Sequence, residues 1–300
     1  MKNKGHKAVK RILLVVIAVC LIQIGREYYL SMRHKTQQDM LKEMTEIPTE
    51  QVVESDDTKK QSAITAVTDS PAEQQNNVKV QADDEPVMLN KYESLYQENQ
   101  DLIGWLSIEG MNIDYPVMQC EDDEYYLHHD FYGKESKYGC LYVRGQADVN
   151  AGTNFIIYGH NMKDGSMFGD LDFYSEKDFC VEHPLISFDT LYEEHTYRII
   201  AVFRSQVYNE EDDAFKYYQF YQAETKEEFE DFYRNIKDIS LYDTGVDAEF
   251  GDTFLTLSTC AYHVDDGRFV VVAVKKGINH PFCMYSPARS MLDTLRKRYA

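Results

Sequence analysis

Two residues near the C-terminal end of the chain carry reactive chemistry at short spacing: Cys260 and Arg268. A thiolate is the nucleophilic form of cysteine, and a fixed cation nearby favours it. Arginine is no base at neutral pH, but its N–H groups can hold a developing oxyanion. Taken singly, a cysteine is most often a small buried hydrophobe and an arginine a surface charge. Their flanks bring them together. Residues 252–260 read as a strand, with Phe254, Thr256, Leu257 and Thr259 as β-formers after Gly251. Residues 268–274 are a near-continuous β-branched run, the pattern of a strand buried on both faces. A hairpin-like return through the polar residues 261–267 sets the Cys260 sulfur near the Arg268 guanidinium. Of the nine histidines, His160 follows the strand-like Asn154-Phe155-Ile156-Ile157, and on residue type alone it could be an ordinary surface imidazole.

The wording of these stretches adds to that chemistry. Thr256-Leu257-Ser258-Thr259-Cys260 with Arg268 soon after, and Tyr158-Gly159-His160-Asn161 upstream, resembles the active-site signature of sortases, in the class B form. These are cysteine transpeptidases of Gram-positive cell surfaces. The resemblance runs from about Tyr92 to Lys276 and includes Met162-Lys163-Asp164-Gly165-Ser166-Met167-Phe168. It implies acyl transfer through a thioacyl-enzyme. Cys260 would attack the threonine carbonyl of a sorting-signal pentapeptide. His160 would protonate the leaving amine and then deprotonate the incoming one. Arg268 and the backbone N–H of Ala261 would hold the oxyanion. His263 is the local rival imidazole, but the sortase pattern places the working histidine on the earlier strand. Ser258 and Thr259 flank the sulfur on alternating faces. Ser258, on the face of Cys260, is expected to touch substrate, and Leu127 is expected to border the peptide groove. The partners implied are sorting-signal-bearing surface proteins and a peptidoglycan precursor amine of the lipid II type. The resemblance implies no cofactor.

Composition limits the alternatives. A net charge of -20 argues against a nucleic-acid partner, whose phosphates call for a basic face. The six cysteines show no CxxC or CxxH spacing, so neither zinc nor a disulfide framework is expected, and a single structural disulfide stays open. The acidic run 209–213 lacks the alternation and glycine of a calcium loop, and no metal is assigned to it.

Along the chain, residues 1–11 are basic and precede the apolar run 12–24. No small-x-small cleavage site follows, and Tyr28, Tyr29 and Leu30 extend the segment. An uncleaved signal anchor over residues 12–30 is expected, crossing the membrane once with its N-terminus cytoplasmic. Residues 31–88, rich in Gln, Thr, Ser, Asp and Glu and without an aromatic, read as a polar extracellular stalk, with a short helix near Met40 to Met44. The catalytic domain is expected over residues 89–277. It opens on a helix at 91–99, and short strands follow at 101–108, 112–118, 139–143, 154–158, 185–189 and 194–207. Many short strands at this spacing predict a mainly β fold, a closed barrel rather than a βαβ sheet. One longer helix, 226–239, puts Phe229, Phe232, Tyr233 and Ile236 on one face and begins with a Thr225/Glu228 capping box. A helix inserted before the strand of the catalytic cysteine is typical of class B sortases. Residues 278–300 form an extension without an assigned role, with helical character at 291–298.

Three alternatives stand beside this reading. An extracellular cysteine protease would release its acyl-enzyme to water. A catalytically silent module on a stalk would not need Cys260, His160 and Arg268 together. A pilin-polymerising sortase usually carries an Asp-Pro-aromatic lid, from which Asp84-Glu85-Pro86-Val87 departs.

Overall fold

The computed structural model describes residues 2–46, 86–261 and 266–275, with side chains from residue 10 onward. Residues 47–85 of the predicted stalk, His263 and residues 278–300 lie outside the described residues.

The chain begins with helix α1 (Lys2–Glu46). Its apolar side chains from Ile12 to Ile24 are exposed, and the helix is long and apolar enough to cross a membrane. The sequence predicts a polar stalk from residue 31; instead α1 continues without a break to Glu46 and its last turns lie on the folded domain. Leu41 is fully buried there with Tyr92 and Leu95 of helix α2 (Asn90–Glu98). The His34 ring stacks on Tyr138 with centroids 4.1 Å apart, and Lys42 pairs with Asp114 at 2.5 Å. Polar composition hides this contact, because it rests on a few buried residues among many solvated ones.

Eight strands then close a barrel, as the strand spacing predicts. They are β1 (Leu102–Ser107), β2 (Asp114–Met118), β3 (Leu141–Val143), β4 (Asn154–Gly159), β5 (Leu185–Thr190), β6 (Glu194–Gln206), β7 (Thr253–Cys260) and β8 (Gly267–Lys275). Their order around the barrel is β1-β2-β3-β4-β7-β8-β6-β5. The β2–β3 and β4–β7 pairs are parallel and the others antiparallel. The turn between β1 and β2 needs Gly110, whose φ of +83° suits a residue without a Cβ. Short helices α3 (Tyr125–His128) and α4 (Lys177–Glu182) fill connections, and α5 (Lys226–Asp238) is the longer helix before β7.

Alternation along β7 and β8 explains why both strands are so apolar. Leu255, Leu257, Phe269, Val271 and Ala273 point into the barrel core with Phe155 and Phe188. Phe254, Val270, Val272 and Val274 point outward into a second layer under Phe229, Phe232 and Ile236 of α5. Each such buried side chain contributes ~1.5–3 kcal/mol. The expected capping box fixes where α5 starts: Glu228 N–H donates to Thr225 Oγ1, and Thr225 N–H to the Glu228 carboxylate.

Candidate active site

The β4–β7 ladder sets the site. Its parallel register runs from Asn154 beside Phe254 to Gly159 beside Thr259. The next residue on each strand is His160 and Cys260, so both leave the barrel at the same end. A buried polar pair helps lock this register: Thr256 Oγ1 donates to Asn154 Oδ1 at 2.9 Å, and Asn154 Nδ2 donates to the Phe220 carbonyl. Gly159 allows the close approach, because a Cβ there would meet Leu141 Cδ2 at 2.5 Å and Phe168 Cδ2 at 2.8 Å. On the other side of β7, Cys260 stands directly opposite Arg268 in the antiparallel ladder.

Cys260 is exposed at the tip of its strand, whereas Cys140 and Cys180 are buried. Burial pushes both of those thiols up, which keeps them protonated and inert. Arg268 is half-buried, and its Nη1 donates to the carbonyls of Gly267 at 2.9 Å and Asp266 at 3.2 Å. A guanidinium has further N–H groups to offer an oxyanion. His160 is also half-buried, with Nε2 2.8 Å from the Leu127 carbonyl oxygen. Asn161, next to it, donates from Nδ2 to the Cys260 carbonyl at 2.9 Å. That bond clamps the two strand ends to each other.

Four further predicted site residues are engaged by the protein's own groups. Ser258 is buried, and its hydroxyl pairs with the Tyr217 hydroxyl at 2.7 Å rather than lining an open groove. Thr259 is buried and donates to the Gly159 carbonyl at 2.8 Å. Leu127 meets the site through its main-chain oxygen, as the partner of His160. The Ala261 N–H donates to the Gly267 carbonyl at 2.9 Å, closing the β7–β8 loop, so it is already engaged.

Around these residues lies an aromatic and cationic layer to which the sequence assigned no role. The rings of Tyr142 and Tyr158 stack 5.5 Å apart, and the Arg144 guanidinium lies 5.0 Å from the Tyr158 ring centroid. Burial pushes the Tyr142 and Tyr217 phenols up to about 12, with Arg268 drawing each partly back. They are therefore neutral donors at physiological pH. The signal was present in the sequence as period-two pairs, Tyr142/Arg144 and Tyr158/His160, each on one strand face.

The arrangement offers an accessible thiol, an imidazole and a guanidinium at one barrel edge. Comparisons with known proteins identify the family and the fold. The Sortase domain family matches residues 106–276. Sortase B of Listeria monocytogenes is 37% identical over 185 residues, which span 59% of this chain and 70% of that protein. A solved sortase B from Bacillus anthracis is 32% identical with a TM-score of 0.55, covering 62% of this chain and 84% of that one. A Staphylococcus aureus sortase B–substrate complex is 28% identical with a TM-score of 0.57, covering 64% and 87% respectively.

Proposed function

This chain belongs to the sortase family, in its class B branch, and is a cysteine transpeptidase of that kind; we propose that it cuts a sorting-signal pentapeptide after threonine and passes the acyl group to a cell-wall amine. The observation that carries this reading is the ladder geometry, with Cys260 opposite Arg268 and His160 one residue past the Gly159–Thr259 pair.

The Cys260 thiolate adds to the threonine carbonyl, forming a C–S bond and an oxyanion. Arg268 stabilises that oxyanion with N–H groups beyond those used on its own strand. As the oxyanion collapses, the C–N bond breaks and His160 delivers its proton to the departing amine. The thioester then takes the incoming amine, whose proton returns to His160, and the thiolate leaves. Asn161 and Thr259 act as positioning residues, holding the ends of β4 and β7 in register. The acceptor is a peptidoglycan precursor amine of the lipid II type, and the donor is a surface protein bearing a sorting signal.

Residues 12–30 anchor the chain, with Lys2, Lys4, Lys7, Lys10 and Arg11 held in the cytoplasm and the barrel outside. A fragment from residue 31 onward, given a mixed library of pentapeptides with and without an amine acceptor, tests the reaction by mass spectrometry. Transfer to the amine is expected for the parent and none for Cys260→Ala. Hydrolysis alone with every acceptor would favour a protease, and cleavage by Cys260→Ala would sink the mechanism.

A further inference from the structure

Outside the catalytic edge, α5 carries a groove of about 710 Å³ that the transpeptidase chemistry does not use. Its floor is aromatic: Phe220 stacks on Phe232 with centroids 4.0 Å apart, and Phe215 lies 5.8 Å from the same ring. Its rim carries Glu227, Glu228, Glu230 and Asp231, of which Glu230 pairs with Lys226 at 3.2 Å and Asp231 with Arg234 at 3.3 Å, so the acids still outnumber the cations. Three rings beneath four carboxylates suit a segment that is apolar and basic together, since the rings favour apolar burial and the rim favours cations.

The chain itself supplies such a segment. Residues 276–300 contain Lys276, Arg289, Arg296, Lys297 and Arg298 against the single acid Asp293, in a protein of net charge -20. Phe282, Met284, Tyr285, Leu292 and Leu295 are interspersed with them. The place where this segment leaves the barrel is equally specific. Lys275, the last residue of β8, lies opposite Thr253, and the neighbouring Phe254 packs its ring 5.3 Å from Phe232 in the groove. Thr153 ties the same end of the barrel to the groove, its N–H donating to Gln222 Oε1 at 3.1 Å. From there, α5 is thirteen residues long, ~20 Å at the helical rise, which a chain extended at ~3.3 Å per residue crosses easily.

We propose that residues 276–300 dock intramolecularly in the α5 groove, placing apolar side chains on Phe215, Phe220 and Phe232 and the Arg296-Lys297-Arg298 cluster against the carboxylate rim. This surface is separate from the reaction at Cys260, so its test does not depend on turnover.

The full chain in neutral detergent micelles, treated with a zero-length carbodiimide and digested, is expected to show amide cross-links from Lys297 to Glu227 or Glu230. Backbone amides of α5 should exchange several-fold more slowly than in R296E/K297E/R298E, a variant that alters no residue of the described fold. That variant should lose the cross-links, and combining it with E227K/E230K/D231K should restore them with the reactive groups exchanged. The helix variant alone is checked by its melting curve. If it fails to fold, the tail variant still decides the matter through exchange at α5. Three results would each overturn the proposal: no tail-to-α5 cross-link in the parent, cross-links only between isotopically distinct chains, or tail protection that requires anionic vesicles. The second would assign the groove to another copy of the chain and the third would assign the tail to a lipid surface.

Discussion

At the scale of single residues, Ser258 has a different task from its neighbour Cys260. Its hydroxyl is buried against the Tyr217 hydroxyl, and one of the two donates to the other. Removing one partner leaves the other dehydrated without a hydrogen bond, at a cost of ~1–3 kcal/mol, while replacing both is nearly neutral. Ser258→Ala should therefore lower stability by that amount, and Ser258→Ala with Tyr217→Phe should recover most of it in denaturant titrations. KM for a pentapeptide should stay at the parent value in the folded single variant. A raised KM with unchanged stability would instead place Ser258 in direct contact with substrate. Thr259 and Asn161 belong to the same class of support, since each bridges β4 to β7. Among the described residues, Cys260, His160 and Arg268 are the ones we propose to touch reacting atoms, and Arg268 can do so because a guanidinium is not exhausted by two carbonyl partners.

At the scale of elements, the docked end of α1 contains a titratable contact. His34 is buried against Tyr138, and Tyr115 lies near it with ring centroids 6.4 Å apart. Burial lowers its pKa from 6.5 to about 4, although Asp164 and Asp130 pull in the opposite direction. The folded state thus binds fewer protons than the released helix. Its docking contribution is fully present above about 6.5 and is lost as pH falls from there toward about 4. Hydrogen exchange over residues 31–46 should accelerate across that window, while β7 and β8 stay protected. In His34→Phe, which keeps a stackable ring but cannot titrate, the acceleration should disappear. Equal pH dependence in both proteins would show that the carboxylates, not the imidazole, control docking. Serine and carboxylate contacts add to this face: Ser31 and Tyr138 both donate to Asp164, whose segment follows His160.

At the scale of the whole molecule, the parts that were legible in the sequence share a physical cause. β7, β8 and α5 each bury one or two complete faces, so their periodicity is strong, and Thr225 with Glu228 states where α5 begins. The closed barrel followed from many such strands. What escaped were features made by few side chains across long sequence separation: Tyr217 under Ser258, Leu127 behind His160, the Gly267 carbonyl that occupies Ala261, and Leu41 buried from within a polar stretch. The last of these changes the organisation of the chain, because α1 runs unbroken from its apolar exposed turns onto the barrel and α2. A fragment beginning at residue 31 should then be more stable than one beginning at residue 86. Burial of Leu41 contributes ~1.5–3 kcal/mol, and closing the intervening chain subtracts part of it. The expected net difference is ~1–2 kcal/mol, seen as a Tm several degrees higher for the longer fragment. Both fragments should turn over substrate at similar kcat, since Asp164 keeps its bonds to Tyr138 and Ser166 when Ser31 is removed. Equal melting temperatures would mean that the docked turns contribute nothing to the fold. A higher Tm accompanied by a large rise in kcat would mean that α1 acts on the His160 segment itself, and not only on the barrel wall beneath it.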